Sequence, residues 1–127
     1  MSYFQWSSKY QLGHRDIDDQ HHVFFDLIAR IEHELKTTDD IAYEIKLLEE
    51  LYHYAQFHFH SEENIYEKME LDGLDEHRLE HKKLLSDVEQ EIYNFMRTRD
   101  HKHLIDFIGH WLTNHTLTED KMMLSKA

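Results

Sequence analysis

Apolar residues recur along this chain at helical intervals in four long stretches, separated only by short polar breaks. The breaks fall at residues 36–40, 71–75 and 98–101, and the spacing predicts helices over residues 17–36, 40–69, 74–97 and 101–118. Gly73 supplies a stop after Met69, while Asp40, Asp72 and Asp100 carry short carboxylates suited to accept from the free N–H groups of a helix start. Residues 1–15 read as an irregular arm. Period-two alternation is missing and β-branched residues are few, so the predicted fold class is all-α. Short connections between long helices make neighbours antiparallel, which gives an up-down-up-down four-helix bundle. At 127 residues the chain reads as one domain spanning 1–127.

Turning about 100° per residue shows which polar side chains share the apolar faces. In the first helix Ile17, Phe24, Ile28, Ile31 and Leu35 form the stripe, with His21 at its edge and His22 nearly opposite. In the second, Leu48, Leu51, Ala55, Ile65 and Met69 surround His58 and Glu62, one turn apart, whereas His53 and His60 project away. The third runs Leu74, Leu84, Val88, Ile92 and Phe95 with His77 and His81 on the same face. Leu104, Ile108, Trp111, Leu112 and Met122 define the fourth, joined by His115 but not by His103 or His110. His14, His22, His33, His53, His60, His101, His103 and His110 are assigned to the surface or to helix ends.

Composition narrows the chemistry. Twenty-six acidic residues against fourteen basic ones leave a formal charge of -12, which repels phosphate backbones and anionic lipid surfaces and argues against nucleic-acid and membrane partners. No apolar run is long enough to span a bilayer, and the first ten residues do not resemble a signal peptide, so the expected location is cytoplasmic. Cysteine is absent, which leaves only oxygen and nitrogen as metal ligands. Thirteen histidines are scattered from His14 to His115. Their spacing carries no information by itself: five have an acid or another histidine four positions later, and chance predicts about four at this composition.

Direction is informative where spacing is not. A lone histidine on an apolar face is usually a hydrogen-bonded core residue. Five on four helices, together with Glu62 and no lysine or arginine on the stripes, cost several kcal/mol unless a cation compensates. Imidazole and carboxylate without thiolate suit iron, zinc, copper or manganese. Five imidazoles and one or more carboxylates exceed the appetite of one tetrahedral zinc but match two adjacent six-coordinate ions bridged by carboxylates.

Trp6 in the arm, the run Ile17-Asp18-Asp19-Gln20-His21, the run His58-Phe59-His60-Ser61-Glu62-Glu63, the pair His77 and His81, and the segment from Trp111 to Asp120 together resemble the haemerythrin family, in particular its single-domain prokaryotic members. The resemblance covers nearly the whole chain. It implies two iron ions joined by an oxo or hydroxo group, with His77, His81 and His115 on one, His21 and His58 on the other, and Glu62 and Asp120 bridging. Spacing and resemblance differ at one position. An ideal helix brings Glu119 beneath His115, whereas the resemblance selects Asp120, about 140° away, which requires a local π turn or a helix ending near Thr118.

The function so implied is reversible binding of molecular oxygen for transport, storage or delivery, without catalysis, by a monomer whose recipient is an oxygen-consuming enzyme. Phe24, Phe59, Trp111 and Leu112 are the candidate apolar lining of the open iron position. The alternatives are sensing of oxygen or redox state through a partner protein, and a di-iron enzyme acting on nitric oxide or peroxide. A ferritin-like oxidase fits poorly, because Glu-x-x-His occurs only at Glu50 and His53, and His53 points outward.

Overall fold

The computed structural model describes residues 6–127, the side chains of residues 116 and 117 aside; the first five positions of the expected arm lie outside the described residues. Four long helices form the bundle: α1 (Arg15–Thr37), α2 (Ile41–Lys68), α3 (Leu74–Thr98) and α4 (His101–Asn114). The helical path continues beyond α4 through a π turn (His115–Asp120) into a short α5 (Lys121–Leu124). Each helix packs against the next and α4 closes on α1. No strand occurs among the described residues.

The helix ends follow from local chemistry, with two departures from expectation. Asp40 Oδ1 accepts from the N–H groups of Ala42 and Tyr43, and Asp100 Oδ1 from that of His103, as cap residues should. Asp72 caps nothing, because α3 starts one residue later from Gly73, whose φ of 85° is readily reached by glycine. Gly73 is therefore not the stop of α2 either. Glu70 takes that role at φ 58°, with its N–H on Glu67 O and that of Leu71 on Tyr66 O, the paired bonds of a Schellman ending. The arm is also less irregular than expected. It holds a 3₁₀ turn at Ser8–Tyr10, buries Tyr10 against Phe25 and stacks Trp6 on His22, and the Asp18 carboxylate accepts from the N–H groups of Leu12 and Gly13.

The apolar stripes meet as two unequal clusters. The larger holds Phe24, Ile28, Ile31 and Leu35 of α1, Leu48, Leu51, Ala55 and Phe59 of α2, Leu84, Val88 and Phe95 of α3, and Leu104, Ile108, Trp111 and Leu112 of α4. The smaller consists of Ile17, Tyr66 and Met123. Along α1, α2 and the α4–α5 path the inward histidines and acids fall between these clusters, so apolar packing closes them in from both ends. Met122, expected inside, is 57% exposed, and Met123 is buried in its place. The π turn inserts one residue relative to an α-helix and rotates every later position by that amount.

Away from the inward-facing histidines, the fully buried Glu44 accepts from Arg99 at 2.6 Å and lies 2.7 Å from His101 Nε2, tying the start of α2 to the α3–α4 connection. Glu44→Ala is expected to destabilise the fold by about 2–3 kcal/mol, below the usual cost of breaking a fully buried pair because Arg99 keeps some solvent. Urea unfolding measures this, and a change under about 0.5 kcal/mol contradicts a stabilising role for the cluster.

Candidate metal centre

All seven side chains expected at the site come together, and none is more than 4% exposed. His21 comes from α1, His58 and Glu62 from successive turns of α2, His77 and His81 from successive turns of α3, and His115 and Asp120 from the two ends of the π turn. With that turn in place, Asp120 rather than Glu119 faces the other six side chains. The turn's extra residue brings position 120 to the face that an unbroken α-helix gives to position 119.

The seven residues fall into two overlapping groups, in each of which one ligand atom per residue lies within 4.8 Å of the others: Glu62, His77, His81, His115 and Asp120 in one, His21, His58, Glu62 and Asp120 in the other. Both carboxylates are shared, and each divides its oxygens. Glu62 Oε1 lies 3.1 Å from His77 Nε2, 3.0 Å from His81 Nε2 and 3.6 Å from His115 Nε2, whereas Oε2 lies 3.4 Å from His21 Nε2 and 3.2 Å from His58 Nε2. Asp120 Oδ1 faces His77 at 3.4 Å and His115 at 3.2 Å, and Oδ2 faces His21 at 2.9 Å. A carboxylate split in this way can reach a cation on either side.

The donor set fits metal better than it fits itself. The Nε2 atoms of His21, His58 and His115, with Glu62 Oε2 and Asp120 Oδ2, are buried and make no well-directed hydrogen bond despite their short separations. So many buried polar atoms without directed partners are costly, and atoms that converge without hydrogen-bond direction are placed to share a cation. On the outer side, His58 Nδ1 lies 2.9 Å from Gln20 Oε1 and His81 Nδ1 lies 2.7 Å from Glu63 Oε2. Anchoring Nδ1–H in this manner presents the Nε2 lone pair inward.

Without metal, protons occupy the same space. Burial alone would lower the pKa of His21 and His77, but the carboxylates of Asp120 and Glu62 outweigh it and hold both at about 9; His115, under the same opposition, stands at about 10. At His58 burial wins over the attraction of Glu62, and the imidazole is lowered. Burial acts to raise both acids, yet the imidazoles prevail: His58, His115 and His21 hold Glu62 well below the carboxylate range, and His115 and His21 hold Asp120 at about 2 against both burial and Glu62. Metal binding therefore displaces protons.

Phe24, Phe59, Trp111 and Leu112 are all buried in the larger cluster. Two of them wall the histidines and a third backs them: Phe24 stands 5.5 Å from the His58 ring, Phe59 stacks on His81 at 4.2 Å and sits 5.2 Å from His115, and Trp111 packs behind both, 5.6 Å from Phe24 and 5.9 Å from Phe59. Leu112 packs in the same cluster. Among the eight histidines assigned elsewhere, His22, His33, His53, His60, His103 and His110 are exposed, and His14 and His101 are half-buried at helix starts. Sequence reasoning gave no role to Gln20, Glu63 or Tyr66, whose hydroxyl donates to Asp120 Oδ1 at 3.3 Å. Gln20 and Glu63 lie within the runs that carry the resemblance, but their partners become visible only when the helices are side by side.

Comparison with known proteins points the same way. The family described as Hemerythrin HHE cation binding domain matches residues 12–127. A Bacteriohemerythrin from Clostridium acetobutylicum is 28% identical over 125 residues, covering 93% of this chain and 96% of its own length. Hemerythrin-like proteins from Naegleria gruberi and Naegleria fowleri are each 26% identical over 117 residues, covering 92% of this chain and 87% of theirs.

His58→Ala and His81→Ala lose metal, whereas His53→Ala and His60→Ala keep it, as measured by metal analysis after gel filtration; four equal outcomes contradict the assignment of faces. For the metal-free protein, the raised imidazoles of His21, His77 and His115 contribute stability that is complete below their unfolded value of about 6.5 and is lost as pH rises through about 9 to 10. Its melting temperature should fall across that alkaline interval, and metal added near neutral pH should acidify a weakly buffered solution. A flat alkaline melting profile together with no proton release contradicts this charge arrangement.

Proposed function

The chain belongs to the haemerythrin family, and on that premise we propose that it binds molecular oxygen reversibly at a pair of iron ions. The observation that carries the reading is the sharing of both carboxylates between two histidine groups of unequal size, three imidazoles on one side and two on the other, with aromatic carbon beside the site. His77, His81 and His115 would hold one iron, His21 and His58 the other, and Glu62 and Asp120 would bridge them with a hydroxide. Iron held so would supply the two electrons that oxygen takes up on binding.

The chain's own residues do the rest. Phe24 and Phe59 present ring carbon to the histidines, Trp111 packs behind both, and together they exclude water, which slows escape of reduced oxygen. The one N–H among those rings, Trp111 Nε1, is committed to Leu84 O at 3.1 Å and so does not serve as a proton source. On the opposite side, the buried Tyr66 hydroxyl steadies Asp120, and the apolar surroundings of that phenol hold its proton firmly by raising its pKa. Five imidazoles against two carboxylates place less negative charge on the metals than a glutamate-rich site does, which favours holding oxygen over splitting it. The role is that of a carrier or store, with oxygen-consuming enzymes as the class of recipient.

Anaerobic reduction followed by oxygen titration tests this. A visible charge-transfer band should grow to one oxygen per two irons, vanish on deoxygenation and return over repeated cycles; irreversible bleaching with product formation contradicts the carrier reading. Trp111→Ala should raise the rate of spontaneous oxidation about tenfold or more by admitting water, equivalent to about 1.4 kcal/mol of barrier. An unchanged rate contradicts the role given to the aromatic wall.

A further inference from the structure

Two of the metal-facing histidines are anchored from behind by groups of different charge. His81 donates from Nδ1 to the carboxylate of Glu63 at 2.7 Å, whereas His58 donates to the neutral amide oxygen of Gln20 at 2.9 Å. Gln20 is held in that sense because its Nε2 donates to Ser61 Oγ at 2.8 Å, while the Tyr54 hydroxyl donates to its backbone carbonyl. Ser61 and Glu63 flank Glu62 on α2, so one turn of helix carries a shared carboxylate, the anionic support of His81 and the hydroxyl that orients Gln20, the neutral support reaching His58 from α1.

The charge of Glu63 is not cancelled by its cationic neighbour. Arg78 approaches Glu63 at 3.6 Å but is shared with Glu67 at 3.2 Å and Asp75 at 3.6 Å, so one guanidinium serves three carboxylates. The Glu63 side chain is only 18% exposed, which limits solvent screening of its effect on His81. An imidazole that donates to a carboxylate is more basic and a better electron donor to metal than one that donates to an amide, and so favours the more highly charged metal state.

We propose that Glu63 is a positioning residue that acts through His81 to lower the reduction potential of the metal on the three-histidine side, while Gln20 leaves the two-histidine side less perturbed. The two ions are then electronically unequal because of their outer supports as well as their ligand number. This inference rests on the paired-iron reading above.

The test uses the full iron-loaded chain. Glu63→Gln keeps an acceptor of nearly the same shape for His81 and removes only the charge, so a purely orienting role predicts no change in potential. Anaerobic spectroelectrochemistry should show the potential of Glu63→Gln raised, with the ratio of reduced to oxidised centre at a fixed potential up by about tenfold. Gln20→Glu, which adds a charge behind His58 and removes no metal ligand, should lower the potential and alter the electron paramagnetic resonance spectrum of the singly oxidised pair. If Glu63→Gln fails to hold iron, the Gln20→Glu potential decides the matter. Unmoved potentials in iron-replete variants overturn the inference alone, whereas a wild-type chain that takes up no iron pair sinks the reading beneath it.

Discussion

Two carboxylates and five imidazoles enclosed by apolar packing set the terms for the rest of this molecule. Neither kind of group tolerates burial without compensation, and hydrogen bonding among them is incomplete because so many of their atoms converge without the direction that a shared proton needs. Protons relieve the arrangement in part, which is why three imidazoles hold theirs far above the usual range. Cations relieve it more fully, since one ion accepts several lone pairs at once. The bundle is therefore a device for bringing ligands from every helix to one place, with the larger apolar cluster and the smaller group of Ile17, Tyr66 and Met123 closing that place at either end.

The π turn from His115 to Asp120 is the local cost of completing the site. Were α4 to continue as an α-helix, Glu119 would share the face of His115 and Asp120 would be turned away from both histidine groups. The inserted residue corrects this and also turns Met123, rather than Met122, into the core. Ligand placement and packing of the chain's last turn therefore depend on the same irregularity, and Tyr66 links them by touching Asp120 from within the smaller cluster.

The inward histidines were legible because each lies on an apolar stripe long enough to define a face, which separates His21 from the adjacent His22 without any knowledge of the neighbours. The π turn was not legible from periodicity, since a single inserted residue looks like any other until the register beyond it is seen; only the resemblance selected Asp120. Gly73 misled for a different reason. Glycine is the usual left-handed ending of a helix, but here Glu70 adopts that conformation and Gly73 opens the next helix. The outer supports were invisible in one dimension because they join residues 41 positions apart at Gln20 and Ser61 and 18 apart at Glu63 and His81.

Diffraction from iron-loaded crystals at the iron absorption edge examines the central premise most directly, because it places ions without reference to colour or reactivity. Two anomalous peaks per chain are expected inside the bundle, one against His77, His81 and His115 and the other against His21 and His58, with Glu62 and Asp120 touching both. A single peak, or iron held only by acidic residues at the surface, would contradict the account.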